Sequence, residues 1–344
     1  MKYRNLFLLL TSTLAFTATP AVQAGENALV LEPKEGPGAG KHIVLLAGDE
    51  EYRSEESLPM LAKILSQRHG FKCTVLFSAS EDGTITPNDT TSISGVEALE
   101  KADLFVTALR FRNWPEEAIG RFEKAVLAGK PIVSLRTSTH AFAKNRLDGF
   151  GKKFLGEGWV NHWGKHKVEG TRGVTEPSAE GSALLHGVSD VFGTTDVYEA
   201  HPPADATILL RGQVLESLSP DAKPASYVKK RKTDGGEQDV NSPMMPIAWT
   251  RTLVNEAGAV NKILCTTMGS ADDLQSEGLR RLIVNGVYWG LQMDVPYDAS
   301  VAYVDEYKPG FYGNNGYRKG MKISDLELGK AMPGEPNPAP ASKP

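Results

Sequence analysis

An arginine stands where many α/β enzymes carry a nucleophile. In GKPIVSLRTSTHAF (129–142) a short apolar run ends at Leu135, and the chain then turns through Arg136-Thr137-Ser138-Thr139-His140. A guanidinium keeps its charge at any ordinary pH and offers donors in a fixed fork. It therefore serves as neither base nor nucleophile, but it can hold an anion, a carbonyl or a developing oxyanion. The alternative is a tie from Arg136 to Asp49 or Glu50 on a neighbouring loop. His140 is of the residue type suited to proton transfer near neutrality. Arg136 and His140 are thus the candidate catalytic groups.

Further polar residues follow other apolar runs. Asp49, Glu50 and Tyr52 come after HIVLLAG, Arg110 and Arg112 after ADLFVTAL, and Ser270 and Asp272 after KILCTTMG. With Ser138 and His162 they form the expected substrate-binding set, with hydroxyl-binding or orienting roles for the carboxylates. GWVNHWGKHK (158–167) places His162 and His166 four apart, in a segment that also holds Trp159 and Trp163. That spacing lets two imidazoles share a metal on a helix, although the glycines here favour a loop. His201 in YEAHPP is a third candidate ligand, so a divalent metal at His162, His166 and His201 stays open. A sugar bound by the same loop is the other option.

These residues need elements to bring them together. His42–Ala47 is a continuous apolar run, as a parallel strand buried on both faces requires. Residues 54–69 carry Leu58, Leu61, Ile64 and Leu65 at helical spacing, and Gly70 supplies a stop. Strands are expected at 72–77, 102–108 and 131–135, with a helix opening at Pro115. Later strands are expected at 206–215, 245–250 and 262–267, with a helix over 276–291. The alternation predicts an α/β fold with a doubly wound, mostly parallel sheet. Ligands bind such sheets at the carboxyl ends of the strands, so the loops named above should meet in one crevice. Residues 219–242 read as a long solvated loop.

Residues 1–24 combine Lys2 and Arg4, the apolar stretch Leu6–Phe16 and a small-residue site ending at Ala24. That is the pattern of a cleavable signal peptide and predicts a periplasmic or secreted protein without membrane insertion after cleavage. Cleavage removes two cations and no anion, taking the net charge from −4 to −6. A mildly acidic chain with no basic stripe argues against nucleic acid as a partner. Cys73 and Cys265 lie inside apolar runs and read as buried thiols. Residues 25–40 form a linker, 41–294 the main domain, 295–328 a wrapping segment, and 329–344 a disordered tail. No G-x-S-x-G, P-loop or strand-linked G-x-G-x-x-G is present, which removes those hydrolase and nucleotide-binding readings.

The combination of HIVLLAGDEEYRSEESLPMLAKIL, GKPIVSLRTSTHAF, GWVNHWGKHK, MPIAWTRTL and TTMGSADDLQSEGLRRLIVNGVYWGLQM resembles the ThuA-like (trehalose utilisation) family. Secreted planctomycete-type members are the most similar, with EYKPGFYG at 306–313 adding to the likeness. The resemblance implies a flavodoxin-like, class I glutamine-amidotransferase-like sandwich. It also implies a role in carbohydrate catabolism, with a small-molecule carbohydrate or keto-sugar ligand. The chain departs from the family where Ser134-Leu135-Arg136 replaces a G-L-H pattern and Gly269-Ser270 replaces Gly-His. No histidine role is carried over at those positions, and Arg136 at the elbow is incompatible with glutamine hydrolysis. The expectations are acid/base chemistry on a glycoside or keto-sugar, a non-catalytic carbohydrate-binding or scaffold module, or a metal-dependent hydrolase.

Overall fold

The computed structural model describes residues 27–339. The expected signal peptide and the last residues of the expected tail lie outside this range.

The first half alternates strands and helices as follows: β1 (Leu29–Leu31), β2 (His42–Gly48), α1 (Ser54–His69), β3 (Lys72–Phe77), β4 (Leu104–Leu109), α2 (Glu116–Leu127) and β5 (Ile132–Leu135). Short strands then occupy the region that has little periodicity: β6 (Asn161–His162), β7 (Thr171–Thr175), β8 (Phe192–Gly193) and β9 (Tyr198–Glu199). The regular pattern returns with β10 (Thr207–Val214), β11 (Val228–Lys230), β12 (Glu237–Asp239), β13 (Met245–Val254), β14 (Val260–Thr266) and α3 (Glu277–Gly290). Local signals explain the helix ends. Gly70, at φ 76°, caps α1 through its N–H to the Leu65 carbonyl. Ser276 caps α3 by accepting from the Leu279 N–H.

One large mixed sheet runs β1-β3-β2-β4-β5-β14-β13-β10-β7-β8. The strands β3, β2, β4, β5 and β14 are mutually parallel. Beyond β14 the sheet continues antiparallel, because β14 and β13 are joined by a tight turn and pair from Ala248–Thr266 to Val254–Val260. A hairpin needs only such a turn, whereas a parallel neighbour needs a crossover. The expected mostly parallel sheet therefore describes one half of the observed sheet. Helices α1 and α3 pack on one face with Leu58, Leu61, Leu282 and Ile283 in the core. Helix α2 packs on the other through Ile119 and Phe122.

The chain moves outward in opposite directions from β2 and β4, by β2→α1→β3 and by β4→α2→β5. The loops after β2 and β4 therefore leave a crevice at a topological switch point. Because β2, β4, β5 and β14 are parallel, the residues that follow them all emerge at that end.

Two other expectations change, and a third holds. Part of the long loop 219–242 forms the β11–β12 hairpin, and Lys229 Nζ donates to the carbonyls of His162 (2.9 Å) and Trp163 (2.8 Å). The tail is fastened as far as Asn337, whose Nδ2 donates to the Phe311 carbonyl at 2.8 Å. Cys73 and Cys265 are free and buried, as their apolar runs predict.

The wrapping segment is clamped to the start of α1. Glu56, fully buried, accepts from Arg318 Nε at 3.0 Å and from the Gly310 N–H at 2.6 Å. Removing one partner of a buried pair strands the other charge, at about 3–5 kcal/mol. Glu56→Ala should lower the unfolding free energy by about that amount in urea titration. An unchanged midpoint would show that the segment is not anchored there.

Candidate active site

Two imidazoles converge on one buried carboxylate. Asp196 accepts from His162 Nδ1 at 2.7 Å through one oxygen and from His166 Nδ1 at 3.1 Å through the other. An ionised carboxylate can only accept, so both Nδ1 atoms carry the hydrogen. Local pairing explains the convergence. His162 on β6 lies opposite Tyr198 on β9, two residues past Asp196. The N–H groups of Trp163 and Gly164 both donate to the Val197 carbonyl, at 2.7 and 3.0 Å, which turns the loop back over Asp196.

Arg136 lies beneath this carboxylate rather than in the crevice. It is 1% exposed, and its Nη2 donates to Asp196 Oδ1 at 3.2 Å. Its Nη1 donates to the carbonyls of Asp196 and Thr267, each at 2.8 Å. The guanidinium carbon lies 3.8 Å from the Tyr198 ring centre and 4.8 Å from that of Tyr52. This corrects the expected oxyanion clamp, because no face of the guanidinium remains for a ligand. The expected tie to Asp49 or Glu50 is not made either. The sharp turn itself is present: Arg136 has φ +40°, a left-handed conformation that costs a non-glycine residue energy.

Several other expected ligand contacts are spent inside the protein. Asp49 Oδ1 caps the loop after β2 by accepting from the N–H groups of Glu51 (2.8 Å) and Tyr52 (3.0 Å), and Thr137 Oγ1 donates to its other oxygen. Arg112 is buried, bonded to Glu50 at 2.6 Å and to the carbonyls of Arg110, Pro87 and Asp89. Ser138 bridges β4 by donating to the Thr107 carbonyl and accepting from the Leu109 N–H. Ser270 accepts from the Asp273 N–H. Asp272 is engaged by Thr194 and Gln275. His201 lies outside the His162–His166–Asp196 group and contacts Glu199 at 3.4 Å instead.

His140 contacts Phe111 and Trp159, with ring centres 4.9 and 5.2 Å away. Burial, with the neighbouring Arg110 charge, pushes its pKa down to about 3. It is therefore neutral at neutral pH and carries no imidazolium proton, which removes the acid half of the expected acid/base role. The proton-carrying position passes to His166. Burial works against its cation, but hydrogen bonds to Asp196 and to Glu51 (Nε2 to Oε1, 3.3 Å) outweigh that and raise its pKa.

The rest of the expected set does meet here. Glu50 pairs with Arg110 and Arg112, and Arg110 also reaches Glu51 at 3.3 Å. Glu51 thereby joins Arg110 to His166. Tyr52 stacks on Tyr312 of the wrapping segment, with centres 5.1 Å apart, and Tyr312 lies 5.5 Å from the His166 ring. Asp196, Glu51, Tyr198 and Tyr312 are the members of this site that sequence reasoning missed. The available signal for Asp196 and Tyr198 was position, since Tyr198 opens the YEAHPP segment that holds His201 and Asp196 lies two residues before it.

No protein-family model matches the chain, and no curated protein does. Among solved structures it is similar to a protein from Parabacteroides merdae described as thua-like, with 14% identity and a TM-score of 0.45 over 80% of this chain and 95% of that one. A second thua-like protein, from Bacteroides uniformis, shows 17% identity and a TM-score of 0.44 over 80% and 97%. Overlap at this level assigns neither a family nor an activity.

The titrations of Asp196 and His166 bound a pH window. Burial raises the Asp196 pKa, but the two histidines and Arg136 outweigh it and hold the group well below its ordinary 3.8. Its contribution to stability is present above 3.8 and is lost as pH falls through the lowered value. That of His166 is fully present below its ordinary 6.5 and is lost as pH rises through the raised value. Stability should therefore peak between these limits, and Asp196→Asn should flatten the profile and lower the His166 pKa in an NMR titration.

Proposed function

We propose that this chain is a secreted or periplasmic ThuA-like protein of carbohydrate catabolism that acts on a glycoside or keto-sugar derivative by acid/base chemistry. The observation that carries the reading is the Asp196–His166–Glu51 chain, in which one imidazole is held between two carboxylates. Proton abstraction beside a carbonyl needs a base of near-neutral pKa and a donor for the developing oxyanion. His162 and His166 share one carboxylate and are each about a third or less exposed, so both roles can be filled from one side. His166, whose protonated form is favoured by its hydrogen bonds to Asp196 and Glu51, offers the Nε2 proton that it shares with Glu51. Asp196 orients both rings through their Nδ1 hydrogens, and Arg136 holds Asp196. Arg110 and Glu50, 21% and 16% exposed, supply hydrogen-bonding groups of both signs for sugar hydroxyls.

His166→Gln should lower turnover of a responsive substrate by at least about 100-fold, while leaving affinity within a few-fold. The measurement is a panel of glycosides and 3-keto-glycosides followed by chromatography. Tight binding of the panel without conversion would make the protein a carbohydrate-binding module instead.

A second reading rests on the same residues. His162, His166 and Asp196 present ligand atoms within 4.8 Å of one another, an N/O donor set suited to zinc-type ions. When bound, such an ion would supply Lewis-acid polarisation of a ligand oxygen. Equilibrium dialysis against Zn²⁺ followed by elemental analysis should give one ion per chain, and none with Asp196→Asn. Absence of stoichiometric metal in the unaltered protein would remove this metal-dependent hydrolase reading.

A further inference from the structure

A row of rings leads from the surface to the histidine pair. Phe111 contacts His140 (4.9 Å between centres), His140 contacts Trp159 (5.2 Å), Trp159 contacts His162 (4.8 Å), and His162 contacts His166 (4.4 Å). Two of its members are exposed although large and apolar, Phe111 at 39% and Trp159 at 36%. Phe111 also has φ +49°, a left-handed conformation that a bulky side chain rarely takes. Its N–H donates to the His140 carbonyl at 3.0 Å, which pins the strained residue to the turn after β5. Strain of this kind persists only where the surroundings impose it, and it clusters at ligand clamps.

Each ring packs on one side, Trp159 against Tyr198 at 4.5 Å between centres and Phe111 against His140, and leaves part of its surface open to a ligand. Arg110 lies over the Phe111 ring, its guanidinium carbon 4.8 Å from the centre, and it also pairs with Glu50. An apolar surface thus adjoins a rim of charged and hydrogen-bonding groups. That combination matches a pyranose, whose C–H face is apolar and whose edge carries hydroxyls. An aromatic ring stacks on the first while polar side chains bind the second.

We propose that Phe111, His140 and Trp159 form a stacking platform for the apolar face of a pyranose ring. The ring adjacent to the bond being broken would then extend toward His162 and His166. This deepens the carbohydrate reading above and rests on it, by assigning the subsite that selects the sugar. The neutral state of His140 fits the role, because an uncharged imidazole can brace Phe111 and Trp159 from between them without a buried charge.

The test is calorimetric titration of the full chain with maltose, cellobiose, methyl β-glucopyranoside and their 3-keto forms, for the parent, Phe111→Gly and Trp159→Ala. Both variants should weaken binding at least tenfold. Phe111→Gly should also unfold thermally at or above the parent's temperature, because glycine accepts the left-handed backbone without strain. A residue serving only the fold would instead lose stability on that change. Unchanged affinity in both variants, a Phe111→Gly protein that unfolds several degrees lower, or a parent that binds no member of the panel would each overturn the platform. His166→Gln separates this from the acid/base reading. Turnover that survives His166→Gln while the platform variants lose binding would sink the chemistry and leave the platform standing.

Discussion

The buried pair of Arg136 and Asp196 is the constraint on which the site depends. A guanidinium does not give up its proton, so burying one commits the surrounding chain to supplying acceptors. Asp196 supplies its carboxylate and its backbone carbonyl, Thr267 a second carbonyl, and Tyr52 and Tyr198 two π faces. The carboxylate held this way is left with capacity to accept from His162 and His166. A neutral side chain at position 136 would take from the buried Asp196 its one permanently charged partner, which is unfavourable. The arginine at the elbow therefore acts through the residue it positions, by fixing the group that orients both imidazoles.

The fold places this arrangement by topology. Strands β2, β4, β5 and β14 are parallel and end at one rim, so acidic, basic and hydroxyl residues scattered across the sequence arrive together. Each loop then fixes itself. Asp49 caps the turn after β2, Arg112 gathers the Pro87 and Asp89 carbonyls of the loop after β3, and Asp273 accepts from the N–H groups of Gly269 and Thr195, at 2.9 and 3.0 Å. Much of the polar inventory at the rim is thus devoted to holding loops, and only a minority of it faces outward. The separate two-stranded β6–β9 sheet brings Asp196 and the histidine loop, and the wrapping segment adds Tyr312.

Some of this was legible in the sequence and some was not. Continuous apolar runs such as HIVLLAG and the stripes of α1, α2 and α3 mark their elements, because burial on both faces of a sheet or one face of a helix leaves a local period. The end of the sheet that carries the site followed from strand direction. The partners did not follow. Nothing in the residues around Arg136 shows that its carboxylate comes from position 196, since a 60-residue separation leaves no spacing to read. Likewise His140 has the chemistry of an acid in isolation, and only its neighbours at Phe111, Trp159 and Arg110 deprive it of its proton.

By itself the sequence determined the alternating elements, the parallel half of the sheet, the sharp elbow at Arg136 and the buried state of both thiols, because these depend on local pattern and side-chain size. Only the tertiary structure decided which ionisable groups face a ligand and which are spent in pairs. Burial and charge pairing are properties of neighbours in space, and the pKa of a histidine follows those neighbours rather than its own identity.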